Sequence, residues 1–207
     1  MTVFVVVAAL YWDANGSTAG IGGSGTWDTT TSNWTTAVAG NIATTVFTAA
    51  NPVTFGGTAG TVTVDAGGVT ANGGIQFDTE GYTVSGGTLT LGSAAITTAH
   101  ATGTTTVNSI IAGSVGLQKL GAGALELGAN NTFTGAVAIN AGTLKISSDA
   151  NLGAVANAVQ LGGGKLEATA SLAFIESQII SNYFLYYEVR GLILHGKAYT
   201  CVTSTVG

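Results

Sequence analysis

From residue 53 to about 170, the chain is cut into runs of three to five residues that alternate apolar and polar side chains, with glycines between the runs. Thr61-Val62-Thr63-Val64-Asp65 alternates strictly, and so do Gly74-Ile75-Gln76-Phe77-Asp78, Thr88-Leu89-Thr90-Leu91 and Ala124-Leu125-Glu126-Leu127. Ala136-Val137-Ala138-Ile139 and Thr143-Leu144-Lys145-Ile146 continue the series. A period of two is the mark of a strand with one buried face. Gly67-Gly68, Gly73-Gly74, Gly86-Gly87 and Gly121-Ala122-Gly123 separate the runs, and glycine accepts the positive φ of a sharp corner. The runs are shorter than the roughly 5–6 residues of an ordinary sandwich strand. They suit the sides of a solenoid coil.

Apolar positions recur at a matching interval. Ile75 and Ile96, Leu89 and Ile110, Leu125 and Leu144, and Leu144 and Leu166 are each separated by about 20 residues, the length of one coil with two or three short strands. A single coil cannot bury its inner face, whereas stacked coils share a continuous apolar core. Inward positions are therefore expected at Val62, Val64, Leu89, Leu91, Leu125, Leu127, Leu144 and Ile146. The fold class is all-β, a parallel solenoid, in three zones. Residues 1–50 hold all three tryptophans and read as an N-terminal cap, residues 51–170 as the solenoid, and residues 171–207 as a divergent tail. In the tail, 172–180 reads as a short capping helix and 182–190 as a strand, and a truncated or frame-shifted gene end is an alternative. The opening residues 2–10 read as a β-branched first strand rather than the remnant of a signal peptide, and no stretch is long and apolar enough for a membrane-spanning helix.

Charge narrows the function classes. Only 7% of residues are charged, against roughly 25% in an average soluble domain, and short hydroxyl and amide side chains take their place. Net charge is −5, with Lys119, Lys145, Lys165, Arg190 and Lys197 scattered singly as solubilising charges. Nucleic acid, which needs clustered cations, is excluded as a partner. Cys201 is the only cysteine, so no intramolecular disulfide or cysteine-based zinc site is expected.

The segment from Leu117-Gln118-Lys119-Leu120-Gly121-Ala122-Gly123 through Ala124-Leu125-Glu126-Leu127-Gly128-Ala129-Asn130-Asn131-Thr132-Phe133-Thr134-Gly135 to Gly142-Thr143-Leu144 resembles the autotransporter-associated β-strand repeat, also called the passenger-associated transport repeat. Tyr11-Trp12-Asp13 and Thr26-Trp27-Asp28, with Asn33-Trp34, resemble the front ends of such passenger regions. The resemblance implies a right-handed parallel β-helix, secreted or displayed on a Gram-negative outer surface, with the repeat assisting export. Only one full copy of the motif is visible, and residues 171–207 are too few to supply a translocator barrel.

Few residues carry chemistry. Asp78 and Glu80 are the smallest carboxylate pair but have no cation or metal ligand nearby, and read as turn-flanking acids. His100 and His195 lie in different zones and read as structural. Gly22-Gly23-Ser24-Gly25-Thr26-Trp27-Asp28 misplaces its acid by one residue for a calcium nonapeptide. No catalytic, metal or cofactor site is expected, and no cofactor. Trp12, Trp27 and Trp34 are expected to cap the apolar end, with glycan contact as the alternative, and Tyr183, Phe184, Tyr186 and Tyr187 are expected at a subunit contact. The expected function is a non-catalytic stalk, fibre or display scaffold that associates with itself or with neighbouring solenoid domains. A glycan-binding adhesin is the alternative, and a β-helix carbohydrate-active enzyme the least supported.

Overall fold

The computed structural model describes residues 8–170, together with the backbone of the strands Leu172–Phe174, Ile179–Ile180, Leu192–Leu194 and Lys197–Ala198. The chain winds over three faces in turn. One coil runs from Ile75–Phe77 on the first face to Thr83–Gly86 on the second and Leu89–Leu91 on the third, then returns to the first at Ala95–Thr98. The second face is a seven-stranded sheet in which Gly25–Trp27, Thr61–Val64, Thr83–Gly86, Thr104–Val107, Ala124–Leu127, Thr143–Ile146 and Lys165–Ala168 stack in chain order. All of its pairings are parallel. The first face has nine strands and ends on an antiparallel partner, Trp34–Thr35, added to Leu10–Trp12. The structure is thus an all-β parallel solenoid, as the alternating runs require.

Parity decides which side chains enter the core. On the second face Val62, Val64, Val84, Val107, Leu125, Leu127, Leu144 and Ile146 are all buried, while the residues alternating with them face outward. Each inward residue is sealed by its equivalent one coil away: Leu125 sits against Leu144 and Leu144 against Leu166. Ile75 pairs with Ile96 in the same way. At roughly 1.5–3 kcal/mol per fully buried aliphatic side chain, this column is the main favourable term holding adjacent coils together.

Two expectations are corrected. Leu89 pairs with Ile111, not Ile110, and Ile110 is 41% exposed. In an Ile-Ile doublet both residues are apolar, and a slip of one residue carries a side chain to the opposite face. Residues 172–180 contain the strands Leu172–Phe174 and Ile179–Ile180, so a capping helix does not fill that segment. The chain before residue 8 and the strand expected over 182–190 lie outside the described residues.

The third face is regular only through Val69–Ala71, Leu89–Leu91 and Ile111–Gly113. Further along, Thr132 N–H donates to Ile111 O and Thr134 N–H to Gly113 O, so the coil still stacks without forming a strand. The break is where asparagine side chains enter the ladder.

Candidate functional site

Two places concentrate buried polar or aromatic groups: a corner built from the repeat, and the aromatic end. The corner begins with Lys119. It lies in an inward column, between Ile96 of the preceding coil and Ile139 of the next, and is 0% exposed. Its ammonium donates to Leu120 O (2.9 Å), Gly121 O (2.8 Å) and Ala141 O (3.1 Å). An ammonium has three donors, and here three carbonyls, one of them from the next coil, take them. Burial pulls the pKa of Lys119 down to about 8. This corrects the reading of Lys119 as a solubilising charge. The signal was present in the sequence, since Lys119 has the parity of buried Leu117, not of exposed Gln118.

The glycines beside it serve the same corner. Gly121 has φ +75°, and a Cβ there would collide with the Thr98 backbone. A Cβ on Gly123 would fall on the His100 ring, and Gly123 O accepts from Thr98 Oγ1 at 2.9 Å. His100 is itself held by Thr102 O and Thr105 Oγ1, at 2.7 and 3.0 Å, which makes it a structural residue of the corner.

Asparagines do equivalent work on the third face. Asn131 Oδ1 accepts from Ile111 N–H at 2.8 Å, and its amide donates to Asn151 O at 2.6 Å, so one side chain spans three coils. Asn151 donates to Ala129 O and accepts from the N–H groups of Ser147 and Ser148, closing a capping box at the 3₁₀ turn Asp149–Leu152. Asn157 accepts from Gly135 N–H and donates to Phe133 O and Leu152 O. Sequence reasoning missed these buried roles, because an asparagine beside glycine reads equally well as an exposed turn.

At the aromatic end, Trp12, Trp27 and Trp34 are each 0% exposed. Trp34 stands edge-on to Trp12 at 5.1 Å and to Trp27 at 5.3 Å, with Phe47 and Phe55 packed around them. Trp12 Nε1 donates to Gly23 O. No indole face reaches the surface. Asp13, next along the chain, is also buried. One of its oxygens accepts a long 3.4 Å bond from Asn15 N–H and the other has no protein partner, and desolvation raises its pKa. Tyr82 lies nearby with its hydroxyl donating to Gly56 O, and burial pushes its pKa above the usual value.

The remaining candidates stay apart. Asp28 bonds the backbone and hydroxyl groups of Thr30 and Thr31; the Thr31 N–H is the largest influence lowering its pKa. Asp78 accepts from Gln76, and Glu80 from Thr102, each its own local contact. Among the described residues no group of three or more His, Cys, Asp or Glu side chains is placed to hold a metal ion. No helix there is long and apolar enough to cross a membrane. Tyr183, Phe184, Tyr186, Tyr187, His195 and Cys201 lie outside the described residues.

What these parts define is a repeat-built β-solenoid, in which Lys119 and the buried asparagines bind neighbouring coils to one another. Residues 117–146, the stretch that builds the Lys119 corner and the Asn131 bridge, match the family model described as passenger-associated transport repeat, so the chain carries an autotransporter passenger repeat. Over 167 residues, 79% of the chain, it is 45% identical to the adhesin BmaC autotransporter of Brucella suis biovar 1 (strain 1330), and it spans 5% of the length of that relative. The repeat and the relative mark a cell-surface or secreted protein. No solved structure matches the chain.

Proposed function

We propose that the chain is a non-catalytic rigid module of a bacterial surface or secreted protein, serving as a stalk or display scaffold. The observation that carries this reading is the direction of its polar residues. Lys119, His100, Asn131, Asn151 and Asn157, which in an enzyme or lectin would be offered to a ligand, are buried and spend their bonds inside the stack, on backbone groups and, for His100, also on the Thr105 hydroxyl. The three tryptophans serve as the cap of the apolar end. The zones 1–50, 51–170 and 171–207 act as cap, solenoid, and a tail for contact with a further subunit or solenoid domain.

A second reading is favoured by the relative, whose printed name is that of an adhesin. On this reading the outward threonine-rich second face, or the tail, contacts host glycans. The two separate on a glycan array, with polysaccharide turnover assayed alongside. The scaffold reading expects neither specific binding nor turnover. Saturable glycan binding lost on substituting outward Thr61, Thr63 and Thr83 would replace it with the adhesin reading. Turnover abolished by Asp78→Asn or Glu80→Gln would overturn both.

A further inference from the structure

A solenoid normally leaves three strand edges and an apolar disc at each end, and either can recruit another coil. At the aromatic end each face is closed by a different device. On the first face, Trp34–Thr35 runs antiparallel on the outer edge of Leu10–Trp12, with Tyr11 opposite Thr35 and Trp12 opposite Trp34. Trp34 in turn exchanges backbone bonds with Thr45. On the second face, Asn33 Nδ2 donates to Thr26 O at 2.9 Å, so a side-chain amide occupies the outward carbonyl of the top strand. The Asp28 turn through Thr30 and Thr31 curls the chain back over that strand. On the third face, Asn72 N–H donates to Ala49 O at 2.8 Å, which seats the backbone at residue 49 on the top strand Val69–Ala71.

The disc is closed too. In a middle coil an inward side chain is sealed by coils on both sides. Here Trp27 and Trp34 are sealed by Phe47, from the closing segment itself, at 5.3 and 5.5 Å between ring centroids. Phe47 is 4% exposed and both tryptophans 0%. An added coil would find none of the core's aromatic rings left to cover, only the single aliphatic side chains Val38, Ile42 and Val46 of the closing segment, and burial of apolar area is what drives coil stacking.

We propose that the aromatic end is a stop in the solenoid: no further coil, from preceding polypeptide or from a second copy, stacks on it. The module begins a separate rigid body and grows in one direction only. Any β-helical stretch placed before it in a longer polypeptide is joined by a joint, not by continuous sheets. This goes beyond the scaffold reading and stands whether the module is a stalk or an adhesin.

The test is a tandem fusion of two whole chains with Cys201→Ser in both copies and Val38→Cys in the second copy alone, which carries a gold label at its aromatic end. Val38 is 66% exposed and so accepts the label without unpacking the cap. Electron microscopy should show two rods meeting at the label with a variable angle between them. The urea midpoint of the second copy should be unshifted from that of the single chain. A single straight rod running through the label would overturn the proposal, as would a raised midpoint for the second copy. Neither readout depends on glycan binding or turnover, so this result and the functional one fail separately.

Discussion

Replacing Asn131 with alanine removes one side chain and unsettles three coils. Asn131 is 7% exposed; it supplies the acceptor for the N–H of Ile111, itself 0% exposed, and the donor for Asn151 O. Alanine supplies neither, and the site is too enclosed for bulk water to do so. An orphaned buried donor or acceptor costs about 1–3 kcal/mol, so losing both partners should destabilise the chain by about 2–6 kcal/mol. Aspartate keeps the acceptor for Ile111 but cannot donate to Asn151 O, and its charge is buried without a cation. It should therefore be at least as damaging at neutral pH and partly recover in acid, where the protonated carboxyl donates again. Guanidinium unfolding followed by far-UV circular dichroism measures the difference. An alanine variant within about 0.5 kcal/mol of the parent would refute the reasoning, showing that the Asn131 bonds do not hold coils together.

Four further outcomes are expected. Asp13→Asn should raise the melting temperature at pH 7. Burial raises the folded-state pKa of Asp13, so its charge costs stability at neutral pH, and the gain should fade as pH falls through that pKa. For Lys119, the folded pKa of about 8 lies below the ordinary 10.5; the unfolded chain binds the extra proton between them, so stability should rise from pH 8 toward 10, a slope that Lys119→Met removes in a pH series of thermal melts. Gly123→Val should be severely destabilising because its side chain would overlap His100, whereas Gly123→Val with His100→Ala should recover part of the loss in a double-mutant cycle. Leu125→Asp should abolish cooperative unfolding, since the carboxylate would be sealed against Leu144 with no cation beside it.

Much of the fold could be read because the second face follows one rule at nearly every coil, Thr105 being the polar residue at an inward position. Leu125, Leu144 and Leu166 each stand second in their alternating run, about 20 residues apart, and their register follows from the alignment of the runs. The rule failed at Ile110-Ile111, where both residues satisfy hydrophobicity and only the position of the preceding corner separates them. Lys119 was legible by parity but was outvoted by the general rule that lysines face water, which holds only where three fixed carbonyls are not waiting for the ammonium. Asn131, Asn151 and Asn157 were not legible. Their role depends on backbone groups one coil away that lack strand partners, and no local pattern announces a missing partner. The tryptophans were placed at an end by their clustering. Their complete enclosure required knowing that Phe47 folds back over them.

The hydrogen bonds between coils run along the axis of the rod, while the covalent chain runs around it. Tension applied along the axis therefore loads those bonds directly, and the backbone carries force only after a coil has peeled away. Resistance is uneven. The coil boundary spanned by Asn131 to Asn151 O, Asn151 to Ala129 O, Asn157 to Phe133 O, Gly135 N–H to Asn157 and Lys119 to Ala141 O has five side-chain ties added to its ladder, and the next boundary toward the aromatic end has Ile111 tied to Asn131. Between the coils of Leu89–Leu91 and Ile111–Gly113 on the third face, the ladder is backbone alone. Stretched along its axis, a solenoid of this design is expected to lengthen stepwise, with the asparagine-tied section keeping its shape longest.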